Sequence, residues 1–151
     1  MQAEIDEYIR SDTGRTYVSD WLLVDQGTIQ AFADATRDWN FLHVDPEAAG
    51  RTEYGTTIAH GFLVLSLLAP LRNGLDRARF PHLRVGVNYG VEGLRWVSAT
   101  PSGARVRGHF TVASIEPDGP GRYREALDVT VEIEGAPRPA MVGRWLTMYM
   151  T

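Results

Sequence analysis

Between Ile58 and Leu71 the chain reads Ile-Ala-His-Gly-Phe-Leu-Val-Leu-Ser-Leu-Leu-Ala-Pro-Leu. The spacing predicts a helix from Gly61 to about Leu71, closed by Asn73-Gly74. Phe62, Leu63, Val64, Leu65, Leu67 and Leu68 cover nearly every side of it. A helix that is apolar all round must be buried all round. Six such side chains are worth on the order of 10 kcal/mol before entropy, at roughly 1.5–3 kcal/mol each. The rest of the chain must therefore supply either a sheet that curls around this helix, or a sheet on one side with a partner on the other.

The remaining sequence has the strands for this. From Leu83 onward the pattern is β: Val85, Val87 and Tyr89 alternate, and Leu94–Val97 continues the strand past Gly90 and Gly93, where a bend or bulge is expected. Further strands run over Val106–Val112, Tyr123–Ile133 and Ala140–Met150. Thr100–Gly103, Pro117–Gly121 and Gly135–Pro137 turn the chain between them. Upstream, a short helix over Ala3–Arg10 and a weak strand within Thr16–Val24 precede a helix capped by Asp25 and carrying Ile29, Phe32 and Ala33. Thr36–Asp45 and Arg51–Thr57 read as loops around a helical turn begun by Pro46. The expected fold is α+β: one domain over 1–151, a curved antiparallel sheet wrapped around a long apolar central helix, the hotdog arrangement.

Composition excludes several functions. A net charge of −4 argues against general nucleic-acid binding and against a membrane-surface role. With no cysteine there is no disulfide, thiolate metal site or cysteine nucleophile. The acidic start Met-Gln-Ala-Glu-Ile-Asp-Glu-Tyr is not a signal peptide. The apolar run Phe62–Leu71 is about half the roughly 20 residues of a membrane span. A cytoplasmic protein is expected. All fifteen basic residues are arginine, which reflects either genome composition or a use for bidentate anion contacts.

The polar residues with chemistry in them precede the apolar helix. Asp38, Asn40 and His43 stand in Asp-Trp-Asn-Phe-Leu-His-Val-Asp. On a regular helix Asp38 and His43 would diverge by about 140°, so they converge only on irregular backbone, as this segment suggests. A carboxylate and an imidazole on one water can add or remove it across a double bond, one group taking a proton while the other gives one. Asn40 can orient both. The plainer reading is that Asp and Asn cap and turn the chain while His43 packs. Gly61 opens the helix, where free N–H groups can hold a developing oxyanion; equally, it allows close packing there. His60 reads as a buried structural histidine before a ligand contact. His43-x-Asp45 with Asp38 or His60 matches no strong metal motif, and no metal is expected. Ser66 lacks a G-x-S-x-G context, and no nucleotide-binding fingerprint is present.

Asp38-Trp-Asn-Phe-Leu-His43-Val-Asp45 followed by Ile58-Ala-His-Gly-Phe62 resembles the MaoC-like dehydratase family, the (R)-specific enoyl-CoA hydratases. The resemblance runs from about Val24 to Thr151 and takes in Ala31–Thr36, Val87–Gly90 and Leu94–Trp96. Asp38, Asn40 and His43 match the family's hydratase motif residue by residue, with Phe41 where proline is common. The resemblance implies that Asp38 and His43 act on one water, that Asn40 positions them, and that the Gly61 amide is the oxyanion donor. It implies a coenzyme A or acyl-carrier-protein thioester as substrate, no cofactor, and a homodimer with sites between protomers. Much of the chain resembles the branch similar to nodulation protein N, whose substrates are poorly defined. Two other functions suit the same fold: an acyl-CoA thioesterase, and a non-catalytic acyl-thioester-binding subunit.

Overall fold

The computed structural model describes residues 1–151. In chain order its elements are α1 (Gln2–Asp12), β1 (Thr16–Val18), β2 (Leu22–Val24), α2 (Gln26–Thr36), α3 (Phe41–Val44), α4 (Pro46–Gly50), α5 (Gly61–Ser66), α6 (Leu68–Asn73), β3 (Val85–Trp96), β4 (Ala104–Pro117), β5 (Arg122–Ile133) and β6 (Met141–Met150). The six strands form one antiparallel sheet in the order β1-β4-β5-β6-β3, with β2 also paired to β4. The fold is the α+β hotdog arrangement, a curved antiparallel sheet against the central helix.

The β5 pattern shows how sequence builds this core. Tyr123, Glu125, Leu127, Val129, Val131 and Ile133 recur at every second position and are buried, with Ala126 the one buried residue on the opposite face. Leu63, Val64, Leu67, Leu68 and Leu71 of the central helix share that core with them. The expected bulges in β3 are present, as register shifts between Asn88 and Gly90 and between Glu92 and Arg95. Gly93 takes a left-handed φ of 57°, a conformation glycine adopts without strain.

Four details differ from the sequence expectation. The weak strand is two short ones, both laid on β4. The loop expected over Thr36–Asp45 contains the one-turn helix α3. The central helix divides into α5 and α6 at Leu67, where the backbone stays helical (φ −70°, ψ −11°) but Pro70 has no N–H to give the carbonyl of Ser66. Its burial is one-sided as well. Phe62 is 65% exposed, and Ser66, Ala69 and Pro70 also face out. Of the two ways to cover such a helix, this chain uses a sheet on one side only. No helix is long and apolar enough to cross a membrane.

Candidate active site

The segment that ends α2 brings the polar residues together. Arg37 closes that helix in the left-handed region, φ 61°, and turns the chain. The Asp38 carboxylate accepts from the Asn40 amide at 3.4 Å, and the Asn40 side chain accepts from the Leu42 amide at 3.0 Å. Asn40 is thus the N-cap of α3. That single turn holds His43, whose Nδ1 donates to the Ile58 carbonyl at 2.7 Å. The Ile58 amide in turn donates to the Leu42 carbonyl at 2.9 Å. With Nδ1–H committed, Nε2 is the ring nitrogen left to exchange a proton.

His60 joins the two groups. It is 3% exposed, its Nε2 donates to the Asp38 backbone carbonyl at 3.0 Å, and its ring stacks on His43 with centroids 3.7 Å apart. Its Nδ1 is buried without a hydrogen-bond partner. Side-chain atoms of Asp38, His43 and His60 lie within 4.8 Å of one another. Convergence of Asp38 and His43 therefore comes from a left-handed turn plus one helical turn, the irregular backbone that their spacing demands.

Gly61 begins α5 next to His60, and its N–H has no partner within the protein. Its carbonyl accepts from the Trp96 indole N–H at 2.7 Å. A β-carbon on residue 61 would sit 2.8 Å from that ring, so only glycine fits without displacing Trp96. His43, Tyr54, Ile58, Gly61, Trp96 and Thr100 line a cavity of about 320 Å³. Asp38 and Asn40 do not line it; they stand exposed beside it.

Several supporting residues carried no sequence signal. Gln26, the first residue of α2, donates to the His43 carbonyl at 2.7 Å and accepts from the buried Thr57 hydroxyl at 2.6 Å. It ties three segments together, and nothing in its local context announces this. Trp96 reaches the site from β3, 35 residues beyond Gly61. The three donors of Asp38, His43 and His60 are a poor metal cage, because stacked imidazoles direct their in-plane lone pairs along nearly parallel planes.

Residues 9–132 match the MaoC like domain. Nodulation protein N of Rhizobium leguminosarum bv. viciae is 41% identical over 148 residues, 97% of this chain and 89% of that one. The 3-hydroxyacyl-thioester dehydratase Z of Mycobacterium tuberculosis is 37% identical over 132 residues, 87% of this chain and 86% of that one. Among solved structures, the (R)-hydratase from A. caviae involved in PHA biosynthesis superimposes with a TM-score of 0.72 at 23% identity, covering 89% of this chain and 94% of that one. The monoamine oxidase regulatory protein from Archaeoglobus fulgius gives 0.78 at 19% identity, covering 95% and 94%. This chain belongs to the MaoC-like dehydratase family.

Proposed function

We propose that the protein adds water reversibly to a trans-2-enoyl thioester, carried on coenzyme A or acyl carrier protein, to give the (R)-3-hydroxyacyl thioester. The observation that carries this reading is the meeting of the Asp38 carboxylate and the His43 ring within 4.8 Å, next to the free N–H of Gly61. The likeness to a 3-hydroxyacyl-thioester dehydratase supports it.

Asp38 is the first choice for activating water and His43 Nε2 for the matching proton transfer, with Asn40 holding the turn between them. The water loses a proton to the pair as its oxygen bonds to C3. Electron density moves to the thioester oxygen, where the Gly61 N–H stabilises the enolate. C2 then receives a proton from the pair, whose proton count is restored. No cofactor or metal takes part in this scheme, so dialysis against a chelator leaves turnover unchanged. Loss of enoyl absorbance with crotonyl-CoA is the direct assay. Asp38→Asn and His43→Ala should each slow it by roughly 10²–10⁴-fold; near-full turnover in either would sink the mechanism. Thiol release from a saturated acyl-CoA, in place of hydration, would mark a thioesterase.

The active form in this proposal is a homodimer. Val85, Val87, Tyr89 and Val91 are exposed on β3, a strand paired on one side only, and the outer face of α5 presents Phe62. A second copy would cover that surface and close the space in front of the exposed Asp38. Sedimentation showing a stable, fully active monomer would overturn this.

A further inference from the structure

The largest cavity, about 760 Å³, lies at the other end of the central helix, away from Asp38 and His43. Its wall carries Arg72, Arg77 and Arg79 and no carboxylate. Two buried acids, Glu125 and Asp12, stand behind the wall and are engaged by it, while Asp76 between Leu75 and Arg77 is exposed and does not line the cavity. Glu125, fully buried, accepts from Arg72 at 2.8 Å, Arg77 at 2.5 Å, the Thr147 hydroxyl at 3.0 Å and the Tyr149 hydroxyl at 2.6 Å. Asp12 is held by Arg77 and by the Tyr17 hydroxyl. Two acids neutralise two arginines, and Arg79, bonded only to the Leu83 carbonyl, leaves the wall cationic.

Arg72 also has donors to spare. Its Nη2 makes all of its hydrogen bonds within the protein, so Nε and Nη1 remain free on a side chain 22% exposed. Asn88 accepts from the Trp145 indole at 3.2 Å, which leaves its amide N–H₂ unengaged on the same wall.

This cationic wall is aligned with the proposed reaction centre. Gly61, Leu65, Leu68 and Arg72 are spaced by four, three and four residues, and so share one helix face. The helical backbone continues through Leu67, and eleven residues at 1.5 Å each span about 16 Å. Between the two ends lies a cavity of about 310 Å³ lined by Leu65, Leu68 and Val91, the last on the β3 surface that the proposed second copy would cover, so that copy would roof the cavity. It shares Ala69, Asn88 and Trp145 with the larger one. A chain passing from Gly61 beside the Trp96 ring along this face would cross an apolar middle and meet guanidinium groups at its end; the His43 cavity and the middle one share no lining residue.

We infer that the Arg72 cavity receives the distal end of the acyl chain and selects thioesters whose chain ends in a carboxylate. This deepens the hydratase reading and rests on it. A terminal methyl there would strip water from the free edge of Arg72 and offer it no acceptor. A carboxylate would take two N–H donors side by side, the geometry arginine serves best.

The test compares trans-2-enoyl-CoA substrates of matched length ending in a methyl group or a carboxylate, with crotonyl-CoA as a substrate too short to reach Arg72. Wild type should favour the acid-ended chain in kcat/KM by about tenfold or more, the worth of one charge-assisted pair. Arg72→Gln should erase most of that ratio, and the exposed Arg79→Gln, remote from the core, should lower it in the same direction if Arg72→Gln does not fold. Equal rates for the two chain ends in wild type, or a ratio unmoved by both variants, would overturn the proposal while leaving hydration of crotonyl-CoA intact. Equal weakening of both substrates by Arg72→Gln would also overturn it, because the arginine would then be reading the carrier's phosphates. If wild type hydrates none of these thioesters, the hydratase reading itself fails. Calorimetry with the acid-ended and methyl-ended acyl-CoA then decides the subsite: tighter binding of the acid, lost in Arg72→Gln, supports it, and indifference to Arg72 ends it.

Discussion

The two ends of the central helix are built in opposite ways. At the Gly61 end the titratable groups come from one short stretch, Asp38 to His60, with Asp38 exposed and His60 buried, and are joined mostly by hydrogen bonds to backbone. At the Arg72 end they come from α1, α6, the segment after it, β5 and β6, and are buried in a network of ion pairs. The first arrangement leaves titratable groups free to exchange protons. The second uses both of its buried acids to hold arginines, and so serves architecture and charge. On the proposed function, chemistry and cohesion occupy different ends of one helix.

The largest contrast should appear on cutting each end. His43→Ala removes a half-buried ring from a one-turn helix, and turnover of crotonyl-CoA should fall by roughly 10²–10⁴-fold. Its melting temperature should fall less than that of Glu125→Gln, since what is lost is one stacking contact with His60 and one hydrogen bond to the Ile58 carbonyl, with no buried charge left unpaired. Glu125→Gln should do the reverse at a smaller scale. It leaves two guanidinium groups facing a neutral amide in a buried site, a change that costs about 3–5 kcal/mol when one partner of a buried pair is removed. Urea unfolding of both variants, read with their crotonyl-CoA rates, checks the pair of outcomes. A Glu125→Gln protein as stable as wild type would erase the distinction between the ends.

These two ends also differ in how far they could be read from the chain. Asp38, Asn40, His43 and Gly61 stand close together in sequence, and the demand for irregular backbone between them was met by Arg37 and α3. The strands of β3 to β6 were legible because alternation and turn residues are local signals. Arg72, Arg77, Asp12 and Glu125 were not legible as a cluster. Glu125 sits in an alternating strand at an inward position, which the sequence alone offers no partner for, and its arginines lie 53 and 48 residues away. Gln26 escaped for the same reason, its partner His43 being 17 residues on. The one-sided burial of the central helix was hidden because Phe62 is as apolar as the residues that do pack inside.

A pH titration of stability gives a smaller effect from the buried end. Burial raises the Asp12 carboxyl, but hydrogen bonds from Arg77 and Tyr17 outweigh it and hold the group below its usual value of 3.8. In this range the folded state carries fewer protons on Asp12 than the unfolded state. Its contribution is complete above pH 3.8 and is lost as the pH falls through the lower folded value. Wild type should therefore lose stability more steeply below this pH than Asp12→Asn, in unfolding free energies followed by circular dichroism. Parallel acid limbs for the two proteins would remove Asp12 from the network's account.

The smallest expected change sharpens the comparison from the other side. Asn40 caps α3 through one hydrogen bond to the Leu42 amide, and a lost cap is worth about 1 kcal/mol. In Asn40→Ala that loss falls on a helix of four residues, too short to persist without its ends fixed. The Ile58 carbonyl still holds His43 Nδ1, so the ring stays within reach while its approach to Asp38 loosens. Turnover should drop by about fivefold, the factor that about 1 kcal/mol represents, and KM should change less than kcat. Asn40→Asp keeps an acceptor for the Leu42 amide and should recover much of the stability, while placing a second carboxylate beside Asp38. If Asp restores stability but not turnover, Asn40 acts on the charge of the pair as well as on the turn that holds it. If it restores both, its role is the cap alone.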